Sequence, residues 1–181
     1  RVFFWIARVS IALGNRKDAE GYYEQAIEKA KGPEEGVPAY VSLASLLAQT
    51  ARANEANNKL VEAAKKYPES AELARARGDV AVQTGKYEEA LNQYEQALKK
   101  NENDLQTRFQ VGVTLRRMRK FDEAIVVFDK VESIDKDFPN LALERGLYYE
   151  ETGQSDEALK MYKKALDKAP NDVDLKLRIG S

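Results

Sequence analysis

The chain is 181 residues long, and its 29 lysine and arginine residues nearly cancel its 30 aspartate and glutamate residues, so no net field favours nucleic acid or an anionic membrane as a partner. It contains no cysteine and no histidine, which removes thiolate and imidazole metal ligands and the commonest nucleophile–base pairs, so we expect no metal, no cofactor and no catalytic site. No apolar run approaches the ~20 residues that span a bilayer, so we expect a soluble protein without membrane insertion, whose compartment, cytoplasmic or periplasmic, stays unknown.

The chain opens inside an apolar run, from Arg1 to Ile6, without the cleavage site of a signal peptide or a polar helix cap. A helix that is apolar on nearly every face needs neighbours on more than one side. We therefore expect a piece of a longer protein, in which an upstream repeat covers this helix. An ordinary buried first helix is the alternative.

Small residues recur along the chain with a fixed period. One alanine within the second helix of each predicted unit gives intervals of 37, 34, 34 and 34 residues: Ala19, Ala56, Ala90, Ala124 and Ala158. Four glycines follow the same period: Gly78, Gly112, Gly146 and Gly180. This period is typical of a two-helix unit stacked on copies of itself, and such arrays usually bind other molecules. The long interval contains the Gly/Pro-rich segment 31–38, where we expect a loop with about three inserted residues.

Within each unit the pattern predicts a helix A of about thirteen residues, a tight turn, and a helix B of similar length. Gly14, Gly85 and Gly153 fall in this turn, where a residue without a Cβ can adopt a positive φ and end helix A. Ala51 and Arg119 fall in the same slot of two other units. The turn is therefore expected to tolerate a side chain.

The links between units contain residues that favour the start of the next helix A. Ser70, Asp104 and Asp172 are candidate N-caps, because their side-chain oxygens can accept from free N–H groups of the first turn. Pro38 and Pro139 suit the first helical position, where the missing N–H costs nothing.

These residues and their period resemble the tetratricopeptide repeat family. Residues 139–172 match its motif at six positions: Gly146, Tyr149, Ala158, Tyr162, Ala165 and Pro170. Residues 71–104 and 105–138 match at four positions each: Gly78, Ala90, Tyr94 and Ala97, then Gly112, Leu115, Ala124 and Phe128. The first two units depart from the motif, with Ala7 and Ala44 in place of the glycine.

The resemblance implies an all-α fold, a right-handed superhelical solenoid of antiparallel helix pairs. We expect a single array over residues 1–181, with about five units and the first helix of a sixth. The expected units are 1–33, 37–70, 71–104, 105–138, 139–172 and, in part, 173–181. The RNA-reading pentatricopeptide array has a similar period, but the near-zero net charge argues against it.

The resemblance also implies a function without catalysis: a scaffold that holds a peptide or helix of another protein in a concave groove lined by the A helices. Residues at the groove-facing positions of the later units are apolar, namely Phe109, Val113, Leu143 and Leu147. We expect them to form a contiguous apolar patch, which is the preferred partner site. The alternative is that a continuation of the superhelix covers them.

Charged residues stand at two further groove positions. Arg116 and Arg117 are followed 34 residues later by Glu150 and Glu151. Equivalent positions of adjacent units are neighbours, so we expect an ionic ladder that pairs Arg116 with Glu150. Its role is either to orient a polar ligand or only to keep the groove solvated.

Two groove chemistries known in the family are absent from the matching positions. The carboxylate clamp of chaperone-binding members needs a Lys/Asn pair, a second Asn and a Lys/Arg pair on successive A helices. In the register that begins at the first unit, this chain has Phe4, Arg8, Ser42, Glu72 and Ala76 at those positions. The asparagine ladder of sugar-transferase members is also missing. Neither of these two groove chemistries therefore predicts the partner of this chain.

Two other functions stay open. The array could be a regulatory or substrate-docking arm of a larger enzyme or of an envelope or secretion assembly. It could also associate end to end with copies of itself, because Leu175, Leu177 and Ile179 belong to a helix A without a following helix B.

Overall fold

The computed structural model describes residues 1–180, and the elements within this range are eleven α-helices joined by short links. The all-α class expected from the sequence is confirmed. In chain order the helices are α1 (Val2–Ala12), α2 (Arg16–Glu28), α3 (Pro33–Gln49), α4 (Ala53–Lys66), α5 (Ala71–Gln83), α6 (Tyr87–Lys100), α7 (Leu105–Arg117), α8 (Phe121–Ile134), α9 (Leu141–Glu151), α10 (Ser155–Lys168) and α11 (Val173–Gly180).

The chain divides into two compact units, one from Arg1 to Thr107 and one from Arg108 onward, and each is described by itself. In the first unit α1 pairs with α2, α3 with α4 and α5 with α6, and each pair packs on the next. In the second unit α9 pairs with α10, and α10 also contacts α11. The expected repeat boundaries stay a prediction.

In the core of each compact unit, small residues pack against larger side chains on the facing helices. In the first unit the alanines Ala19, Ala56 and Ala90 are fully buried. The largest fully buried side chains there are Tyr40, Leu43, Leu60, Leu73 and Tyr94. In the second unit Phe128 and Val131 are fully buried on α8, and a cluster of Ala158, Tyr162, Ala165 and Leu175 joins α10 to α11. This burial of one face explains why polar-rich B helices are stable.

The A-to-B turns are built as predicted. Gly14, Gly85 and Gly153 have φ of 81°, 72° and 77°. Ala51 and Arg119 adopt the same left-handed conformation, each with φ of 60°. Left-handed backbone costs an L-residue about 1–2 kcal/mol. In the two repeats that contain Ala51 and Arg119, the turn geometry is therefore imposed by packing of the helices on either side.

The predicted N-caps are confirmed. The Ser70 hydroxyl accepts from the Leu73 amide at 3.3 Å, and the Asp172 carboxylate accepts from the Leu175 amide at 3.0 Å. Asp104 makes two such bonds: it accepts from the Thr107 amide at 3.0 Å and from the Thr107 hydroxyl at 2.6 Å. Each cap satisfies a backbone donor that the helix itself cannot.

The two proline predictions are wrong. Pro33, not Pro38, occupies the start of α3, and Pro38 lies inside that helix. Pro139 lies outside α9, because the next residue, Asn140, has a left-handed backbone with φ of 63° and separates the proline from the helix.

The inserted segment also differs from its prediction as a loop. From Pro33 onward it is helical, so α3 has 17 residues where α5 and α7 have 13. Pro33 favours a helix start, and Glu34 and Glu35 carry negative charge in the first turn, which the helix dipole stabilises. The insertion therefore adds a helical turn at the beginning of α3.

Three of the four periodic glycines, Gly78, Gly112 and Gly146, permit a close approach of aromatic rings, whereas a Cβ at Gly180 would meet nothing within 4 Å. A Cβ added at Gly112 would stand 2.7 Å from the Phe128 ring, and one added at Gly146 would stand 2.5 Å from the Tyr162 ring. In α3 the same slot holds Ala44, and the facing residue is the smaller Leu60. The glycine and the ring are thus one packing unit, which explains why the family motif has both.

Candidate functional site

Two of the four residues of the predicted apolar patch lie on α9. Leu143 and Leu147 lie one helical turn apart, are half-buried, and face α11. Together with α11 they line a cavity of about 520 Å³. Its lining residues are Leu143, Leu147, Asp172, Asp174, Leu175, Leu177 and Arg178. We call the part of this site formed by Leu143, Leu147, Leu177 and Arg178 the α9–α11 surface.

Phe109 and Val113 lie elsewhere, and their expected exposure is wrong. Each is only 5% exposed. The Phe109 ring packs on Phe128 and Phe138, with centroid distances of 6.1 and 5.1 Å. Both residues on α7 are therefore core side chains, and the Phe109 ring belongs to an aromatic cluster with Phe128 and Phe138. Whether they assist a partner site stays a prediction.

Leu177 occupies the matching position of the partial sixth unit, 34 residues after Leu143, but it is not among the predicted site residues. It is 66% exposed, which makes it the most exposed leucine of the α9–α11 surface. The repeat period is the information that could have placed it there.

The expected pairing of Arg116 with Glu150 is wrong, although Arg116 does pair across helices. Its guanidinium binds Glu144 at 2.9 Å and Glu151 at 2.6 Å. Glu144 and Glu151 are seven residues apart, so they lie on one face of α9, whereas Glu150 points about 100° away. The two ion pairs therefore link α7 to α9, but the residues that they join are not separated by the 34-residue period.

Within this cluster the pair of Arg116 and Glu144 is shielded from solvent, whereas the Glu151 side chain is 35% exposed. The Arg116 side chain is 8% exposed and that of Glu144 is 14% exposed. Burial alone would lower the pKa of Arg116, but the nearby carboxylates of Glu144 and Glu151 outweigh it and raise the pKa. Arg116 stays charged at any accessible pH and fixes α9 against α7, which is a structural role. Arg117, by contrast, is exposed.

Glu150 belongs to a second polar cluster at the edge of the α9–α11 surface. It accepts a hydrogen bond from the Tyr162 hydroxyl and pairs with Arg178 at 2.6 Å. The Arg178 guanidinium also lies over the Tyr162 ring, 5.8 Å from its centroid. Burial, followed by the bond to Glu150, raises the pKa of Tyr162. The cluster holds Arg178 beside Leu177, so a charged group and an exposed leucine face solvent together.

Two family models match the chain. A model described as a tetratricopeptide repeat-like domain matches residues 2–116. One described as the Psidin N-terminal TPR repeats region matches residues 80–179. Each covers more than half of the 181 residues. The chain belongs to the tetratricopeptide repeat family.

Solved structures of tetratricopeptide repeat proteins have the same fold. TTC0263, a thermophilic TPR protein of Thermus thermophilus, is 23% identical with a TM-score of 0.81, over 98% of this chain and 95% of its own. A tetratricopeptide repeat protein from Parabacteroides merdae is 17% identical with a TM-score of 0.73, over 98% and 69%. YrrB, described as a TPR protein with an unusual peptide-binding site, is 26% identical with a TM-score of 0.63, over 97% and 88%. No curated protein matches the chain.

As a tetratricopeptide repeat protein, the chain has a fold that generally serves as a scaffold for protein interactions. Within residues 1–180, no helix combines the length and apolar character that a membrane span requires. At the α9–α11 surface, leucine side chains supply apolar area, and Asp172, Asp174 and Arg178 supply polar groups around it.

Proposed function

We propose that this tetratricopeptide repeat protein binds a peptide or helix of another protein on the α9–α11 surface. The observation that carries the proposal is Leu177, which is 66% exposed beside the half-buried Leu143 and Leu147. Contiguous exposed apolar side chains with a polar rim are typical of protein-interaction sites. The peptide-binding site named for YrrB supports a peptide ligand for a protein of this fold.

The charges around the three leucines favour a particular kind of ligand. Asp172 and Asp174 contribute negative charge to the cavity lining, and Arg178, the residue after Leu177, contributes positive charge. Carboxylates and a guanidinium in one site complement a segment that carries both signs of charge around its apolar residues. We therefore expect an amphipathic helix or extended segment with two or three apolar anchors and mixed flanking charges.

The proposal is tested with ligands selected from a random peptide display library on the native chain. The binding of each selected peptide is then measured by calorimetry to the native chain and to a double variant, Leu143→Glu with Leu147→Glu. Two carboxylates in the apolar surface should weaken binding at least tenfold, since each would be desolvated against the anchor residues. Circular dichroism and urea denaturation show whether the variant is folded.

A matched control carries the same change at another exposed apolar pair. Val126 and Ile134 on α8 are 66% and 62% exposed. Val126→Glu with Ile134→Glu should leave the affinity for the selected peptides unchanged. Selected peptides that bind both double variants as tightly as the native chain would place the site elsewhere.

A second candidate function is association with copies of the same chain. On α1, Val2, Trp5 and Val9 are 67%, 57% and 58% exposed, which is more apolar exposure than a surface helix normally carries. Sedimentation equilibrium over a range of concentrations tests this function. A mass that stays monomeric at millimolar concentration rules it out, and Trp5→Lys should shift a concentration-dependent mass toward the monomer.

A further inference from the structure

The additional turn of α3 borders a recess that the tetratricopeptide repeat motif does not require. The recess lies in the first compact unit, where the start of α3 meets the end of α4 and the start of α5, and its volume is about 440 Å³. It shares no lining residue with the α9–α11 surface. We call it the Tyr67 recess; its lining residues are Pro33, Glu34, Val37, Pro38, Tyr67, Pro68, Glu69, Ser70 and Glu72.

The apolar part of the lining is rigid. Pro33, Pro38 and Pro68 have fixed φ angles. Tyr67 packs edge-on against Tyr40, with the ring centroids 6.5 Å apart. A side chain that enters a rigid apolar recess loses little free energy to ordering of the protein.

Gly36 allows Tyr67 to occupy this position. A Cβ at Gly36 would overlap the Tyr67 hydroxyl group. That hydroxyl is buried and, among the described residues, has no hydrogen-bond partner. A buried hydroxyl without a partner carries a desolvation cost.

The rim of the recess is acidic. Glu34 and Glu69 have side chains that are 86% and 92% exposed, and Glu72 is the third carboxylate of the lining. Basic groups approach from outside: Arg1 is 4.0 Å from Glu34, Lys100 is 3.4 Å from Glu69, and the Lys66 ammonium lies 5.4 Å from the Tyr67 ring centroid. None of these three lines the recess, so its own lining carries three carboxylates and no cation.

The acidic rim is a property of this site and not of every link between a B helix and the next A helix. In the second compact unit, a cavity of about 280 Å³ lies at the corresponding link between α10 and α11. Its lining includes three lysines, Lys136, Lys164 and Lys168, and two aspartates, Asp137 and Asp172. That lining therefore carries both signs of charge, whereas the charged residues that line the Tyr67 recess are all carboxylates.

We propose that the Tyr67 recess is a second protein-binding site, which takes one aliphatic side chain of a partner segment that carries lysine or arginine on both sides of it. The aliphatic group fills the space among Val37, Pro38 and Tyr67. The flanking cations take the place of Arg1 and Lys100 against the exposed carboxylates of Glu34 and Glu69, and Glu72 completes the negative rim. Apolar contact provides the affinity, and charge selects the flanking residues.

The test uses three acetylated and amidated pentapeptides on the full chain: Lys-Lys-Leu-Lys-Lys, Glu-Glu-Leu-Glu-Glu and Lys-Lys-Ser-Lys-Lys. Amide shifts of the ¹⁵N-labelled protein report where each peptide binds. The Lys-Lys-Leu-Lys-Lys peptide should give saturable shifts at Glu34, Tyr67 and Ser70. The other two should bind at least fivefold more weakly. Equal affinity of all three peptides, or shifts confined to other residues, would overturn the proposal.

A charge variant provides the second arm. Glu69→Gln with Glu72→Gln should weaken the Lys-Lys-Leu-Lys-Lys peptide by about 1.5- to 5-fold per charge, the range expected for exposed ion pairs. Glu123→Gln with Glu157→Gln, at exposed positions of α8 and α10, should have no effect. An unchanged affinity in the first variant overturns the proposal. The Leu143→Glu, Leu147→Glu chain should bind this peptide as the native chain does, so failure at one surface is distinguishable from failure at the other.

Discussion

The ring of Tyr162 on α10 lies directly on the backbone of Gly146 on α9, and its hydroxyl donates a hydrogen bond to Glu150 one turn further along α9. This contact sets how closely the two helices approach beside the α9–α11 surface. The same glycine–aromatic contact recurs between Gly112 and Phe128. A third copy lies between Gly78 and Tyr94, so the contact recurs in three repeats of the chain.

Gly146→Ala is predicted to destabilise the protein by about 1–3 kcal/mol, because the added methyl group overlaps a ring that is packed on all sides. Urea denaturation measures the change. Gly21→Ala on α2 is the control: it meets nothing within 4 Å, so it should stabilise by about 0.5–1 kcal/mol through helix propensity alone.

The same contact predicts non-additivity. Gly146→Ala combined with Tyr162→Leu reproduces the pair that Ala44 and Leu60 form in α3 and α4, where both are buried. The double variant should cost at least about 0.5 kcal/mol less than the sum of the single variants. Strict additivity would show that the ring is not what excludes the methyl group.

Arg116→Ala is predicted to destabilise by about 2 kcal/mol, since it leaves the nearly buried carboxylate of Glu144 without its partner. This loss is smaller than the ~3–5 kcal/mol lost when one partner of a fully buried ion pair is removed, because Glu151 is partly solvated. Arg117→Ala, at the exposed neighbouring position, should change the free energy of unfolding by less than about 0.5 kcal/mol. Similar effects of the two substitutions would contradict the structural role of Arg116.

Ala51→Gly is predicted to stabilise by about 0.5–1 kcal/mol, because a glycine adopts the left-handed turn conformation without strain. Gly85→Ala is the reciprocal change at the same slot, with φ of 72°, and should destabilise by about 1 kcal/mol. Thermal or urea denaturation of both variants tests the pair. Changes of the same sign would contradict the account of the turn.

Asp79→Asn is predicted to stabilise the protein at neutral pH. Burial raises the pKa of Asp79, although the hydrogen bond from Tyr94 at 2.8 Å and the charge of Arg75 act in the opposite direction. A carboxyl with a raised pKa in the folded state takes up a proton more readily than in the unfolded chain. Its ionisation therefore costs stability as the pH rises through the folded pKa, and the neutral amide avoids this cost while it still accepts from Tyr94.

The measurement is the urea midpoint of the native chain and the Asp79→Asn variant at pH 7 and pH 4. The variant's gain in stability should be larger at pH 7 than at pH 4. At pH 4 the Asp79 carboxyl of the unsubstituted chain is partly protonated in both the folded and the unfolded state. Asp18→Asn is the control, because Asp18 is exposed in the first turn of α2 and favours the helix dipole. The Asp18→Asn variant should be slightly less stable than the native chain at pH 7. A gain in Asp79→Asn that grows toward pH 4 would contradict the direction of the pKa shift.

The sequence predicted those features that depend on one repeat alone. The turns at Gly85 and Ala51 and the caps at Ser70 and Asp104 follow from local backbone requirements, which recur with the period. The helical turn at Pro33 does not follow from the sequence, because a Gly/Pro-rich segment is compatible with a loop or a helix start. In the structure, Gly36 of this turn lies against the Tyr67 ring.

Features that depend on side-chain direction between repeats were predicted less well. The period places Arg116 near α9, but the rotation of α9 determines that Glu144 and Glu151, not Glu150, face it. Likewise, Phe109 shares its motif position with Leu143, yet neighbouring aromatic rings bury it. Equivalent positions in a repeat share a backbone environment, whereas their exposure depends on the size of the surrounding side chains.

The most direct test of the proposed scaffold function is calorimetric binding of display-selected peptides to the native chain, to Leu143→Glu with Leu147→Glu, and to Val126→Glu with Ile134→Glu. We predict at least a tenfold loss of affinity in the first variant and native affinity in the second, with both variants folded. Native affinity in both, or an equal loss in both, would contradict the assignment of the binding site to the α9–α11 surface.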